Sequence, residues 1–352
     1  MRSPLFKPTD EQRSALLERQ ERLLRPKTVL ALLRAALPAE SAPAAVTHSA
    51  VQSAHLDRFV LRVETRSDSG VERVYALKTY CDGFGERVWS FTQAIDSRTP
   101  PDGDGRCLPI AYAGHEDVLV FPWVVGVLLS DVKDARTPAL LRRAAGLTAD
   151  LHRLDVVPEP PTTVQMLIEE TRARRDRLRR HWLPAVDLVE SALAQLEEAA
   201  DSLDPTEPAP VHGDLGAAQF LWTGSRLVMF DWDGFGYADP AYDVGHFLAQ
   251  LDRVAIVDPA LRAFAPEWIA SFRDAYRAVL PSVSPRNVAF YRAMTLLWKV
   301  HTICRVQPTA WPTLVPQLVL AAQAALQSGV LTNRAGPHGL HFGAELVPGA
   351  PS

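Results

Sequence analysis

Residues 211–243 read VHGDLGAAQFLWTGSRLVMFDWDGFGYADPAYD, and the fold is decided here. Val211 leads into a His212-Gly213-Asp214 turn. Phe220, Leu221 and Trp222 predict a short apolar strand, residues 223–225 turn the chain, and Arg226–Phe230 returns as a second strand ending at Asp231. Such a hairpin brings Asp214 and Asp231, 17 residues apart, to one cleft. Phosphoryl transfer asks little covalent help of a protein, but it needs one carboxylate facing the attacking hydroxyl and another to hold a metal on the phosphates. A lone aspartate in a glycine-rich loop reads as a turn cap. The ordered spacing of the whole segment carries the functional reading.

Upstream the signals are strands. Arg58–Thr65 alternates apolar and polar residues, SDSG turns, and Val71–Thr79 forms the second arm of a hairpin. Glu86–Ile95 predicts a helix, Asp102–Gly105 a loop, and Ile110–Ala113 and Val118–Phe121 short strands around a polar turn. Thr9 followed by Gln12 predicts a capping box, with leucines behind it at helical spacing. Residues 27–36 predict a second short helix, and Pro38–Ala45 a connection. After Phe121 the period is helical over 137–154, 165–183 and 188–203. Amphipathic helices marked by Trp268–Val279, near 286–305 and at 311–328, close the chain. The layout is α+β and two-lobed: an N-terminal helical extension at 1–44, a strand-rich lobe at 45–124, a hinge at about 121–126, a helical lobe at 127–330 carrying the 211–243 loops, and a loose tail at 331–352.

Composition excludes several classes. The 352 residues carry a net charge of -4, which gives no case for nucleic acid or an anionic membrane surface. No apolar run reaches the length of a membrane span, and the first residues lack a signal-peptide stretch. Three scattered cysteines suggest neither a disulfide framework nor a metal cluster, so a cytoplasmic protein is expected.

HGDLGAAQFLW followed by LVMFDWDGFGYADPAYDVGHFLA resembles the catalytic and metal-binding loops of aminoglycoside phosphotransferases and their choline-kinase-like relatives. The resemblance implies a protein-kinase-like fold, ATP and Mg2+ as cofactors, and a hydroxyl acceptor. It implies that Asp214 is the catalytic base, that Asp231 is a magnesium ligand, and that Asp239 and Asp243 support the loop. His212 is expected to orient the catalytic turn, and His152 to hydrogen-bond near the loop's base. The family's second metal ligand, an asparagine, falls at Gln219, which offers the same amide oxygen on a longer arm. Gly216-Ala217-Ala218 stands where the family has His-Pro-Gly, implying a small, open floor near the acceptor.

In the first lobe Val74–Lys78 resembles the kinase strand that presents a lysine to the phosphates. Glu86 either pairs with Lys78 or complements the dipole of its helix. The phosphate-covering loop is expected in Thr47–Leu56, where Ser49 and Ser53 either donate to phosphate or bond local backbone. Leu119–Val132 resembles the hinge: the backbone of Phe121, Trp123 and Val124 faces adenine in that reading, and Trp123 shapes the pocket or simply packs.

The acceptor is less legible. An acidic run, Glu197, Glu198, Asp201 and Asp204, suits either a polycationic sugar or a solvated helix end. The arginines of 172–180 suit surface pairs, an acidic peptide or another anionic partner. Three readings follow: a small-molecule kinase for an antibiotic, sugar or amino alcohol; a Ser/Thr kinase acting on a peptide in natural-product maturation; and a catalytically weak nucleotide-binding scaffold, for which Gln219 is the one point in favour.

Overall fold

The computed structural model describes residues 6–96, 103–157, 159–306 and 309–334. The Thr9 hydroxyl accepts from the Gln12 N–H while the Gln12 side chain accepts from the Thr9 N–H, so the expected capping box opens α1 (Asp10–Leu23). Pro26, in the first turn where its missing N–H costs nothing, opens α2 (Pro26–Ala36). The chain then enters β1 (Ala45–Ala54), β2 (Arg58–Arg66) and β3 (Glu72–Tyr80). After α3 (Phe84–Asp96) come the two-residue β4 (Gly105–Arg106), β5 (Ala111–Ala113) and β6 (Val118–Pro122). An antiparallel sheet runs in the order β1-β2-β3-β6-β5.

Side chains alternate across this sheet. Phe59, Leu61 and Val63 of β2, with Tyr75 and Leu77 of β3, face a core shared with Leu16, Leu23, Leu32 and Leu33 of the first two helices. The same alternation turns Lys78 to the opposite face, toward the larger lobe.

That lobe contains β7 (Val127–Leu128), α4 (Thr137–His152), α5 (Val164–His181), α6 (Leu183–Ala200), β8 (Ala209–Val211), β9 (Phe220–Trp222), β10 (Leu227–Met229), β11 (Gly236–Ala238), α7 (Ala241–Val257), α8 (Ala265–Val279), α9 (Pro285–Val306) and α10 (Trp311–Arg334). The predicted hairpin is present: β9 and β10 pair antiparallel, Leu227 opposite Trp222. β4 joins β10 in parallel and β7 joins β9, while β8 pairs with β11. Helix α7 lies against α9 so closely that a Cβ on Gly245 would come 2.6 Å from the Arg292 nitrogen. Phe247 of α7 stacks on Phe272 of α8 at 3.8 Å.

Three elements depart from the expectations. Thr47–Ala54 is strand, not loop. β1 is a sheet-edge strand with register shifts at Val46/His48 and Val51/Ser53, and no residue of it is buried. Bulges and an unburied edge erase the apolar alternation that reveals a strand. Helix α7 was not anticipated because most of it is buried on every side, leaving no polar face to give the period away. Helix α10 runs past 328 to Arg334. The expected tail lies, from 335 onward, outside the described residues, as does Asp102 of the expected loop.

Leu33 is fully buried between α2 and the sheet. Leu33→Ala should lower unfolding free energy by about 2–5 kcal/mol, read by denaturant titration. A loss below about 1 kcal/mol would mean that the helical cover contributes little to this lobe.

Candidate active site

The His-Gly-Asp turn leaves the end of β8 through a contact that tolerates no side chain. Gly213 has φ +82°, and a Cβ on it would lie 1.9 Å from the Gly234 carbonyl oxygen. Two glycines thus bring the turn that carries Asp214 onto the loop that carries Asp231. Beneath it Asp243, fully buried at the start of α7, accepts from the His212 N–H at 2.6 Å and the Gly213 N–H at 2.9 Å. His152 Nε2 lies 3.1 Å from Asp243, and its Nδ1 lies 2.7 Å from the Tyr276 hydroxyl. Burial pushes the Asp243 carboxyl up, but the His152 hydrogen bond and the charges of His152 and His212 outweigh it and hold it below the usual range. Asp239 accepts from the Ala241 N–H at 2.9 Å and from Asn287 at 2.8 Å, pinning the entry of α7. Asp239, Asp243 and His152 therefore brace the loop. The His212 ring is buried, packs on Trp232 at 5.2 Å, and places Nε2 3.0 Å from the Phe230 carbonyl, bridging the turn to the segment before Asp231.

Asp214 shares a histidine partner with Asp243 but differs from it in exposure. Its side chain is 60% exposed on a cleft of about 1300 Å³. His246 Nε2 of α7 reaches it at 3.2 Å. Desolvation raises its pKa, but the His246 bond and the charges of His246, Lys299 and His212 prevail and hold it down to about 2. His246 itself is buried, and desolvation pushes its pKa below the usual imidazole value. Lys299 of α9, desolvated and crowded by Arg253 and Arg174, falls to about 8 although Asp214 favours its charge.

Asp231 ends the hairpin in a left-handed conformation, φ +69°, a strained choice for a residue with a side chain. Lys78 Nζ reaches its carboxylate at 2.6 Å and that of Asp233, also at 2.6 Å. Asp233 further takes the Tyr80 hydroxyl and lies 3.3 Å from Arg58 Nε. Desolvation opposes the charge on both Lys78 and Asp231, but each favours the other's charged form: the lysine pKa is raised and the aspartate's lowered. The donors are hard carboxylate oxygens of the kind Mg2+ takes. Among the described residues no three His, Cys, Asp or Glu side chains converge to hold a metal by themselves. That fits an ion that takes one or two carboxylates and completes its shell with water and phosphate. Asp231 and Asp233 would hold it. Gln219 sits in the short turn before β9, its carbonyl accepting from the Phe230 N–H at 3.0 Å.

The structure therefore opens Asp214 on a cleft that Asp233 also lines, and sets the Lys78–Asp231 pair beside it through their shared contact with Asp233. It also shows what sequence reading missed: Asp233, Tyr80, Arg58, His246 and Lys299. Asp233 could have been found from its place two residues after Asp231. The others follow from packing between distant elements.

Several expected neighbours lie elsewhere. Glu86 is exposed on α3, and the partners of Lys78 are aspartates of the other lobe, so the lysine–glutamate pair gives way to the dipole reading. Ser49 donates to the Leu24 carbonyl at 3.1 Å, and Ser53 is paired in β1 opposite Val60, so neither belongs to a phosphate loop. The turn that lines the cleft is His55–Arg58 instead. Phe121, Trp123 and Val124 stand at and beyond the end of β6, outside the cleft's lining. The Trp123 N–H is already spent on the Val74 carbonyl at 3.0 Å, which removes it as an adenine donor, and its ring carries Arg62 at 5.4 Å. Gly216–Ala218 also lies outside the lining, because residues 217–219 curl into a helical turn. The acidic run is used at the surface: Glu197 binds Arg172, and Asp204 binds Ser284 and Arg286. Arg175 and Arg179 both bind Glu190 of α6, as ordinary surface pairs do.

No described helix is long and apolar enough to cross a membrane. The fold is shared with solved phosphotransferases at low sequence identity. A choline/ethanolamine kinase family protein from Mesorhizobium loti superposes with a TM-score of 0.58 at 17% identity, over 88% of this chain and 99% of that one. Spectinomycin phosphotransferase, solved with ADP and spectinomycin, gives 0.58 at 11% identity, over 86% and 99%. The apo form of a thermostable mutant aminoglycoside phosphotransferase gives 0.56 at 17% identity, over 81% and 96%. No curated protein matches the sequence. The profile described as the phosphotransferase enzyme family matches residues 49–285, which contain Lys78, Asp214, Asp231 and Asp233, and the chain belongs to that family.

Proposed function

We propose that this protein transfers the γ-phosphoryl group of ATP to a hydroxyl of a small molecule, with Asp214 as the catalytic base. The carrying observation is that one carboxylate, Asp214, opens on the cleft, while Asp231 and Asp233 meet Lys78 beside it. The acceptor hydroxyl oxygen forms the new bond to phosphorus as the bond to the ADP oxygen breaks, and its proton passes to Asp214. His246 holds the Asp214 carboxylate from behind, and the Gly213–Gly234 contact fixes where it sits. Lys78 exchanges part of its hold on the aspartates for the nucleotide's phosphates. Magnesium, when bound, neutralises charge on the phosphate oxygens. The solved relative with ADP in its name supports the nucleotide class for this fold.

Asp214→Asn removes the proton acceptor and little else. It should lower acceptor-dependent ADP release by about 10²–10⁴-fold with nucleotide affinity retained. Unchanged turnover would sink the assignment of the base. Asp231→Asn should abolish the magnesium dependence of nucleotide binding, as titration calorimetry reads. Binding that responds to magnesium as before would place the ion elsewhere. Because Asp214 ionises at about 2 and His246 titrates below the ordinary imidazole range, kcat should stay level through that range and fall only at lower pH. A half-loss of kcat within the ordinary imidazole range would contradict this pairing.

A further inference from the structure

The acceptor side of the cleft is walled by α5 and α9. Among the described residues its lining there holds Arg174, Arg177, Arg180, Lys299 and Arg305 against one carboxylate, Glu170. That carboxylate is committed: Arg174 binds it at 2.6 Å and lies over the Trp298 ring at 4.4 Å. The arginines of α5 divide by face. Arg172, Arg175 and Arg179 bind carboxylates of α6, whereas Arg174, Arg177 and Arg180, at intervals of three, share the cleft side. Crowding is visible in the chemistry: burial lowers the basicity of Arg177, and Arg174 and Arg180 lower it further. The chain as a whole is negative, at -4, so this surplus of positive charge is local. A polycationic acceptor entering here would meet like charge, a cost that binding sites use to reject wrong partners.

We infer that the acceptor is a small hydroxyl compound that also carries an oxyanion group, phosphate or carboxylate, which the α5–α9 wall holds while the hydroxyl meets Asp214. This rests on the reading of Asp214 as the base. Arginine forks match such groups in two-point contact, and these arginines line the same cleft as Asp214. Of the acidic run, Glu197 and Asp204 pair with Arg172 and Arg286, and none of its four carboxylates lines this cleft.

The test uses the full chain loaded with magnesium and a nonhydrolysable ATP analogue. Binding of glucose, glucose 6-phosphate, glucuronate and kanamycin is measured by calorimetry at two salt concentrations. The two anionic sugars should bind about tenfold or more tighter than glucose, with the margin shrinking in high salt, and kanamycin should not bind. Arg177→Gln with Arg305→Gln should remove most of that margin and leave nucleotide affinity unchanged. Arg180→Gln, at an exposed position, should reduce it in part and serves if the double variant misfolds. Glucose or kanamycin binding as tightly as the anionic sugars, no binding by either anionic sugar, or a margin that survives the arginine exchanges would overturn the inference. ADP release by wild type and Asp214→Asn separates the two readings. If the base assignment alone fails, release does not depend on Asp214 while the anion margin stands. If the anion inference alone fails, release depends on Asp214 with a neutral or cationic acceptor.

Discussion

One lysine between two aspartates ties the small sheet to the loop after the β9–β10 hairpin. Lys78 leaves the small sheet and bonds both Asp231 and Asp233, which belong to the loop after the β9–β10 hairpin. Burying these charges carries a desolvation cost that only close pairing offsets, so the arrangement is specific rather than merely sticky. It also leaves a deficit, since one ammonium stands against two carboxylates. Arg58 and the Tyr80 hydroxyl cover part of it on the Asp233 side. A divalent ion with its phosphates would complete the remainder. The alternation of β3, the left-handed Asp231 and the Gly213–Gly234 contact all serve this meeting point.

Two aspartates 29 residues apart in the same segment, Asp214 and Asp243, then take opposite roles through environment alone. Asp243 is sealed from solvent and saturated by backbone N–H groups and His152, so it fixes the turn and has no free oxygen face for a substrate. Asp214 sits one peptide further along the same turn, open to the cleft, with His246 behind it. The rigid carboxylate positions the exposed one.

The strongest part of this design was legible because it is local. A hairpin of fixed length places Asp214 and Asp231 at one end, and alternation along β3 gives the facing of Lys78. The β2–β3 hairpin, the helices of the second lobe and the capping box at Thr9 followed from period and spacing. What escaped reading depends on distant packing. Glu86 opens the next helix, so sequence leaves it either a partner of Lys78 or a complement to the helix dipole; the aspartates of the other lobe occupy the amine. Ser49 and Ser53 looked like loop residues because β1 is a bulged, unburied edge. Helix α7 hides its period by being buried all round. The arginines of α5 could be counted in sequence, but which of them face α6 and which the cleft depends on how the two helices pack.

That division of the α5 arginines makes the α5–α9 wall of the cleft basic, the observation behind the inferred anionic acceptor. The central claim nevertheless concerns the transfer itself: a phosphoryl group passes from ATP to a hydroxyl under Asp214. Phosphorus NMR of the reaction products with Mg-ATP and an acceptor mixture tests it most directly. The account predicts a new phosphate-monoester resonance that grows in step with ADP. Inorganic phosphate as the sole product, or ADP forming at the same rate without any acceptor, would contradict it.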